Sequence, residues 1–308
     1  MSRVSVVGSL HLDILVEAPR LPLSDETLAG RSWSQKCGGK GGNQAVSAAR
    51  FGAETAMGGR VGDDDFGRRL RDHLRAAAVD ESFVETDSSA GSGMSVAIQE
   101  AGGEYGAVIV SGANLEINPE AIVRDWAPLW RADVLTLQNE VPEAVNLVAA
   151  RAARAVQCRV LLNAAPARLL PASLLELTDV LVLNRVEAGH MTGVTVRNQA
   201  DVARAAQALH RPSQDLIITM GGDGLHLTTR AGESSFQPAF NTQVRSAHGA
   251  GDCFCGALAA RLALGDEIAA GCRFAQAAAA LFVAATPEAQ MALSFDQVYA
   301  FLQKARAG

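Results

Sequence analysis

Residues 134–163 read VLTLQNEVPEAVNLVAARAARAVQCRVLLN, and the parsing of this stretch decides the fold. It opens and closes on short apolar runs, Val134–Gln138 and Arg159–Asn163, which suit buried strands. Between them Pro142–Ala155 is long enough for a helix of several turns. The alternation continues downstream with a strand at Val180–Leu183, a helix at Asp201–Leu209 and a strand at Leu216–Met220. Upstream, Val4–Val7 and Met57–Val61 read as strands, and Gly42–Phe51 and Phe66–Ala77 as helices. Leu12–Val16 is expected to continue the first strand beyond a polar interruption at Ser9 and His11. Short buried strands alternating with longer helices predict an α/β fold, with a mostly parallel sheet covered on both faces. In such sheets the active site lies at the carboxyl ends of the strands.

Two segments do not fit the alternation. Residues 18–34 carry Pro19, Pro22 and Gly30 with weak periodicity, and read as loop or short edge strands. Met94–Gln99 and Glu104–Val110 flank AGG at 101–103, a hairpin signal. The two segments are expected to pair as a small separate sheet.

The bulk properties narrow the function. The 308 residues are 48% hydrophobic, enough for one large unit with a small appendage. A net charge of −6 argues against a nucleic-acid partner but leaves room for a phosphate ligand. Five irregularly placed cysteines with no CxxC pair speak against structural zinc or disulfides and for reduced thiols in the cytoplasm. The N-terminal apolar run is too short for a signal peptide. The alanine-rich stretch at 274–285 falls short of the roughly 20 residues of a membrane span. A cytoplasmic protein with no membrane contact is expected.

The chemistry concentrates in VRSAHGAGDCFCGAL, residues 244–258. Gly249 and Gly251 permit a tight turn, and a helix starting near Asp252 or Cys253 would turn free N–H groups and a positive dipole end toward a ligand such as phosphate. Asp252 then has two possible roles. It caps the helix, worth roughly 1 kcal/mol, or it accepts a proton from a substrate hydroxyl while the helix end holds a phosphoryl group.

GAGD followed by CFCGAL resembles the catalytic signature of the ribokinase-like (PfkB) family of sugar and nucleoside kinases, with the ribokinase branch nearest. GGKGGNQAVSAARFGAETAMGGRVGDDDFG at 38–67 resembles its glycine-rich N-terminal motif. GSLHLD at 8–13, LNAAPA at 162–167, LNRVEAG at 183–189 and ITMGGDG at 218–224 resemble further landmarks in the correct order, so the likeness spans about residues 3–302. It implies a single domain over 1–308: a three-layer α/β/α body with a central, mainly parallel sheet. A β-sheet lid of about 15–36 and 94–110 would cover the substrate and form a homodimer contact. The implied reaction is attack of a sugar hydroxyl, the 5-hydroxyl of ribose or a related pentose, on the γ-phosphorus of ATP with Mg2+ present.

The same resemblance assigns roles. Asp252 is the base, and the N–H groups of Gly249, Ala250 and Gly251 form the anion hole. Asp13 and Asn43 bind sugar hydroxyls, Gly39 and Lys40 lie on the loop touching the sugar, and Glu140 points at its distal end. Asn184 and Glu187 organise magnesium and its waters. Thr219, Gly221, Gly222 and Gly224 line the nucleotide phosphates and ribose, and Asn241 and Ala278 the adenine. Simpler roles stand beside these: a turn carboxylate at Asp13, surface charges at Lys40 and Glu140, and a capping box at Asn184 and Glu187 compatible with the metal role.

The chain also departs from the family pattern. Where ribokinases carry an Asp–Thr pair before the glycine loop, Ser246 and Ala247 stand here, followed by His248. Ser246 keeps a hydroxyl and a backbone carbonyl for an activating monovalent cation such as K+, but no charge. AATPEAQMALS at 284–294 departs from the second cation loop. His11 replaces a frequent asparagine beside Asp13, in the sugar-binding region. These changes suggest weak potassium dependence and an altered substrate: another pentose, a modified sugar or a nucleoside. His248 either replaces the missing contact or is an exposed loop residue. The different-class alternative is a non-catalytic sugar-binding regulator, against which the presence of Asp252, Asn184 and Glu187 speaks.

Overall fold

The structure, a computed structural model, describes residues 2–100 and 105–307. In chain order its elements are β1 (Arg3–Val7), β2 (His11–Ala18), β3 (Ser32–Gly38), α1 (Lys40–Arg50), β4 (Glu54–Gly62), α2 (Asp65–Ala76), β5 (Val79–Asp87), β6 (Gly93–Glu100) and β7 (Tyr105–Val110). There follow α3 (Pro119–Asp125), β8 (Val134–Gln138), α4 (Glu143–Ala155), β9 (Arg159–Asn163), α5 (Ala172–Leu175), β10 (Val180–Asn184), α6 (Arg185–Thr192), α7 (Gln199–Leu209) and β11 (Asp215–Thr219). The chain ends with β12 (Leu225–Thr228), β13 (Ser234–Gln237), α8 (Ala250–Ala263), α9 (Ile268–Ala284), α10 (Pro287–Ala292) and α11 (Phe295–Ala307).

A nine-stranded sheet runs β13-β12-β11-β10-β9-β8-β1-β4-β5, and a separate four-stranded sheet runs β3-β2-β6-β7. From β11 to β5 every pairing in the large sheet is parallel, and only β12 and β13 add antiparallel edges. The period of two along each strand divides the core. Val6, Leu161, Val180, Val182 and Ile217 face α1, α8 and α9. Their chain neighbours Val7, Leu162, Leu181, Leu183 and Ile218 face α4 and α7. Burial on both faces explains why β8 and β10 read as continuous apolar runs.

The sequence expectations are revised at the continuation of the first strand, at the pairing of the small sheet and at the start of α1. Leu12–Val16 does not prolong the first strand: β2 leaves the large sheet and pairs with β3 and β6. The break at Gly8–Leu10 is held by Asn114, whose Oδ1 accepts from Leu10 N at 2.8 Å and whose Nδ2 donates to Leu10 O at 2.9 Å. Residues 18–34 are, as expected, loop followed by the start of an edge strand, β3, but the hairpin strand β6 pairs with β2, which lies between it and β3. α1 starts at Lys40, with Gly39 at φ 85°, because the backbone there must pass against Ser9 and Leu10, where any Cβ would collide. The AGG turn at 101–103 lies outside the described residues, while β6 and β7 on either side of it pair antiparallel. Among the described residues no helix is long and apolar enough to cross a membrane.

Candidate active site

The glycine turn places the start of α8 earlier than the sequence suggests. Gly249, left-handed at φ 80°, is the capping residue and Ala250 the first helical one. Asp252 is therefore the third residue of the helix and makes no capping bond, which removes the structural role weighed for it. Its side chain turns instead to α1. Oδ2 accepts from Asn43 Nδ2 at 3.0 Å and Oδ1 from Gln44 Nε2 at 3.1 Å. Asp252 is only 7% exposed. Burial pushes its pKa up; Lys40 and the two amides oppose that, and Glu140 adds to it.

The helix start is open. Ala250 N–H donates to Ala247 O at 3.2 Å, whereas among the described residues Gly249, Gly251 and Asp252 N–H find no acceptor. Of the three amides expected in the anion hole, Ala250 is thus already bonded, and Asp252 N–H is a free one the sequence did not suggest.

Lys40 is not a surface lysine. It is half-buried and lines a cavity of about 170 Å³ with Asn163, Asn184, Glu187, Thr219, Gly249, Gly251 and Asp252. Burial by itself lowers the pKa of its ammonium, but Asp252, Glu140 and Glu187 around it outweigh that and raise it. Its side chain therefore belongs with the cavity at the helix start, while its backbone N–H donates to Glu140 Oε2 at 2.9 Å. Glu140 is not a free surface charge either: Oε2 also accepts from Ser9 Oγ and lies 3.9 Å from His11 Nδ1.

The expected sugar-binding residues cluster beside this cavity, where the two sheets join. His11 and Asp13 rise from β2, the former 5% exposed with Nε2 buried and unpaired. Asp13 accepts from Ser95 Oγ and packs so closely on Gly38 that a Cβ there would meet Oδ2 at 2.2 Å. Gly39 leads into α1 and brings in Asn43, which ties this cluster to Asp252.

Across the cavity, Asn184 and Glu187 form the capping box of α6. Asn184 Oδ1 accepts from Val186 N and Glu187 N, and Glu187 accepts from Asn184 N and Nδ2 at 2.7 and 2.8 Å. Glu187 is buried, which raises its pKa. Among the described residues no cluster of three or more His, Cys, Asp or Glu could hold a metal. These residues therefore fit magnesium only as an ion carried on nucleotide phosphates and met by a single carboxylate. Thr219 ends β11 beside Glu187, and Gly221, Gly222 and Gly224 follow in a short turn, the first two exposed.

Other expectations fare differently. Ala278 is 0% exposed inside the core of α9, so it has no surface for adenine, and that assignment is withdrawn. Asn241 is an exposed loop residue. Ser246 and Arg245 both donate N–H to Val283 O, at 3.2 and 2.8 Å, which brings the two expected cation loops side by side. His248 is exposed, and its N–H donates to Ser246 Oγ at 3.3 Å.

Sequence reasoning missed Gln44, Gln138 and Asn163. Gln138 Nε2 donates to Gln44 Oε1 at 2.9 Å, and Gln44 Nε2 donates to Asn163 Oδ1 at 3.1 Å. A signal was available: each strand residue is the polar terminus of an apolar run, VLTLQ and VLLN.

A buried carboxylate beside a lysine and unpaired helix-start amides, next to a polar pocket rich in acceptors, is the equipment of an enzyme that moves an anionic group onto a hydroxyl. The family comparison defines it further. The chain belongs to the pfkB family carbohydrate kinases, whose family model matches residues 1–290. It is similar to the ribokinase of Haemophilus influenzae, 32% identical over 281 residues that cover 91% of this chain and 92% of the relative. It is also similar to the ribokinase of Bacillus subtilis, 32% identical with coverage of 92% and 93%. Among solved structures, Arabidopsis thaliana ribokinase complexed with ribose and ATP superposes with a TM-score of 0.92 at 28% identity, covering 98% of this chain and 99% of that one. The protein is an ATP-dependent sugar kinase.

Proposed function

We propose that the protein transfers the γ-phosphoryl group of ATP to the 5-hydroxyl of ribose or a closely related pentose. The observation that carries this is the position of Asp252: a buried carboxylate on the first turn of α8, within a cavity shared by Lys40, Glu187 and free helix-start amides.

The sugar lies against His11, Asp13, Gly39, Asn43 and Glu140, whose acceptors and donors suit a polyhydroxyl ligand. Asp252 takes the proton of the attacking hydroxyl, the oxygen forms its bond to the γ-phosphorus, and the bond to the β,γ-bridging oxygen breaks to release ADP. General-base help of this kind is worth roughly 10²–10⁴-fold. The free N–H groups of Gly249, Gly251 and Asp252 and the Lys40 ammonium meet the charge that spreads over the transferring oxygens. Thr219, Gly221, Gly222 and Gly224 flank the nucleotide, with Asn241 further along the same edge. Magnesium, carried on the nucleotide phosphates and met by the Glu187 carboxylate through water, with Asn184 Nδ2 holding that carboxylate, would neutralise phosphate charge.

His11 favours a second substrate within the same class. An unpaired, buried ring nitrogen in the sugar pocket changes what one hydroxyl position can bond to, which suits a modified pentose or a nucleoside as well as ribose. Ser246, without a charged side chain, suits weak potassium dependence. A homodimer through the small sheet is supported by apolar side chains on its two edge strands, with Trp33, Val108 and Ile109 exposed by 67%, 68% and 61%. Dependence on ATP and five free cysteines suit the cytoplasm.

An ADP-release screen over ribose, 2-deoxyribose, fructose, nucleosides and modified pentoses, with and without potassium, tests the assignment. A magnesium-dependent pentose or nucleoside signal, changed little by potassium, is expected. Activity confined to hexose monophosphates would contradict it.

A further inference from the structure

The Asp252 carboxylate is held by two donors of different kinds. Asn43 is half-buried and is one of the residues proposed to bind the sugar. Gln44 is fully buried and cannot reach sugar or nucleotide. Both of its amide hydrogens are also engaged: Nε2 serves Asp252 Oδ1 and Asn163 Oδ1, and Oε1 accepts from Gln138 Nε2.

The direction of this chain is fixed by the backbone. The Val182 carbonyl can only accept, so Asn163 turns Nδ2 toward it, at 3.4 Å, and presents Oδ1 to Gln44. Gln44 must answer with Nε2, and the same NH2 group reaches Asp252. A flipped Gln44 would set its oxygen against Asn163 Oδ1 and Asp252 Oδ1, and its nitrogen against Gln138 Nε2. Gln44 therefore offers Asp252 a donor and nothing else.

We propose that Gln44 is a positioning residue for phosphoryl transfer, relaying the fixed ends of β8 and β9, through Gln138 and Asn163, to the Asp252 carboxylate. The proposal rests on Asp252 acting as the base. A carboxylate turns easily about its last torsion, whereas a base must stay within roughly 2.6–3.2 Å of the proton it takes. One donor on each oxygen removes that rotation and leaves the remaining lone pairs a single direction. Misplacement by about 1 Å costs on the order of 10²-fold in rate.

The test compares Gln44→Met, similar in length and without donors, with Gln138→Met one step further away, Asp252→Ala, and the Gln44→Met/Asp252→Ala double variant. Each full-length protein is assayed for kcat and sugar KM at saturating ATP, with thermal unfolding as the check on folding. For Gln44→Met, kcat is expected to fall on the order of 10²-fold while KM changes by less than about threefold. Gln138→Met should show the same split with a loss of about tenfold. In the Asp252→Ala background Gln44→Met should cost nothing further, since the two residues act as one unit. Gln44→Met turnover within about twofold of the parent, or a loss that persists undiminished in the Asp252→Ala background, overturns the proposal. Should Gln44→Met fail to fold, the kcat and KM split of Gln138→Met decides in the same way. If Asp252→Ala itself keeps normal turnover, the base assignment is what fails.

Discussion

The two sheets are built to different standards. In the large sheet β8 is buried at every position, and β9 and β10 nearly so, with helices on both faces. In the small sheet β2 is buried at only three of its eight positions, and β3 and β7 carry exposed apolar side chains. The proposed active-site residues divide along the same line. The strand ends and helix starts of the large sheet hold Asp252, Gln44, Asn163 and Glu187, while β2 of the small sheet carries His11 and Asp13. The groups proposed for phosphoryl transfer thus stand on the more deeply buried body, and part of the proposed sugar recognition stands on the thinner one. On the proposed assignment, substitutions in the small sheet should change which sugar is taken without disturbing the chemistry.

This contrast can be broken in several places. Leu161→Ala, at a fully buried position of β9, should destabilise the fold by about 2–5 kcal/mol in chemical unfolding. Asp13→Asn should raise sugar KM by roughly 10- to 100-fold, as expected for a lost charged hydrogen bond, while ATP KM holds steady in steady-state kinetics. If kcat collapses too, the division between recognition and chemistry fails. The pH profile sharpens the other side. As the proposed base Asp252 must be ionised, and burial raises its pKa, so kcat/KM should fall on acidification at a pH above the ordinary aspartate range. Ile109→Lys, on an exposed edge strand, should change stability by no more than about 0.5 kcal/mol. In sedimentation it should shift a dimer toward monomer, and an unchanged dimer would remove the small sheet as the contact.

Legibility in the sequence followed burial. From β8 to β11 each strand is a mainly apolar, buried run, and helices α4 and α7 precede β9 and β11, so the alternation was plain. The edges were not. β5, VDESFVETD, alternates with charges because one face meets solvent, and β12 and β13 are short and partly polar. The break after β1 showed only as the polar interruption at Ser9 and His11, which reads equally as a flaw in one continuing strand; what holds the bend is Asn114, more than a hundred residues on. Asp252 and the glycine turn were legible as a motif, but its helix register was not. The glycine loop starts the helix at Ala250, two residues before the aspartate. Gln44 was invisible as a partner because 208 residues separate it from Asp252. Ala278 failed for the opposite reason: a small apolar residue on a helix gives no sign of whether it faces a ligand or the core.

Asp252→Asn tests the central claim most directly, because it keeps the side-chain shape and removes the negative charge. Measured by phosphorylated-sugar formation with calorimetric titration of sugar and ATP, the variant should bind both ligands yet lose at least about 10²-fold in turnover. Turnover within a few-fold of the parent would contradict the assignment of Asp252 as the group that takes the hydroxyl proton.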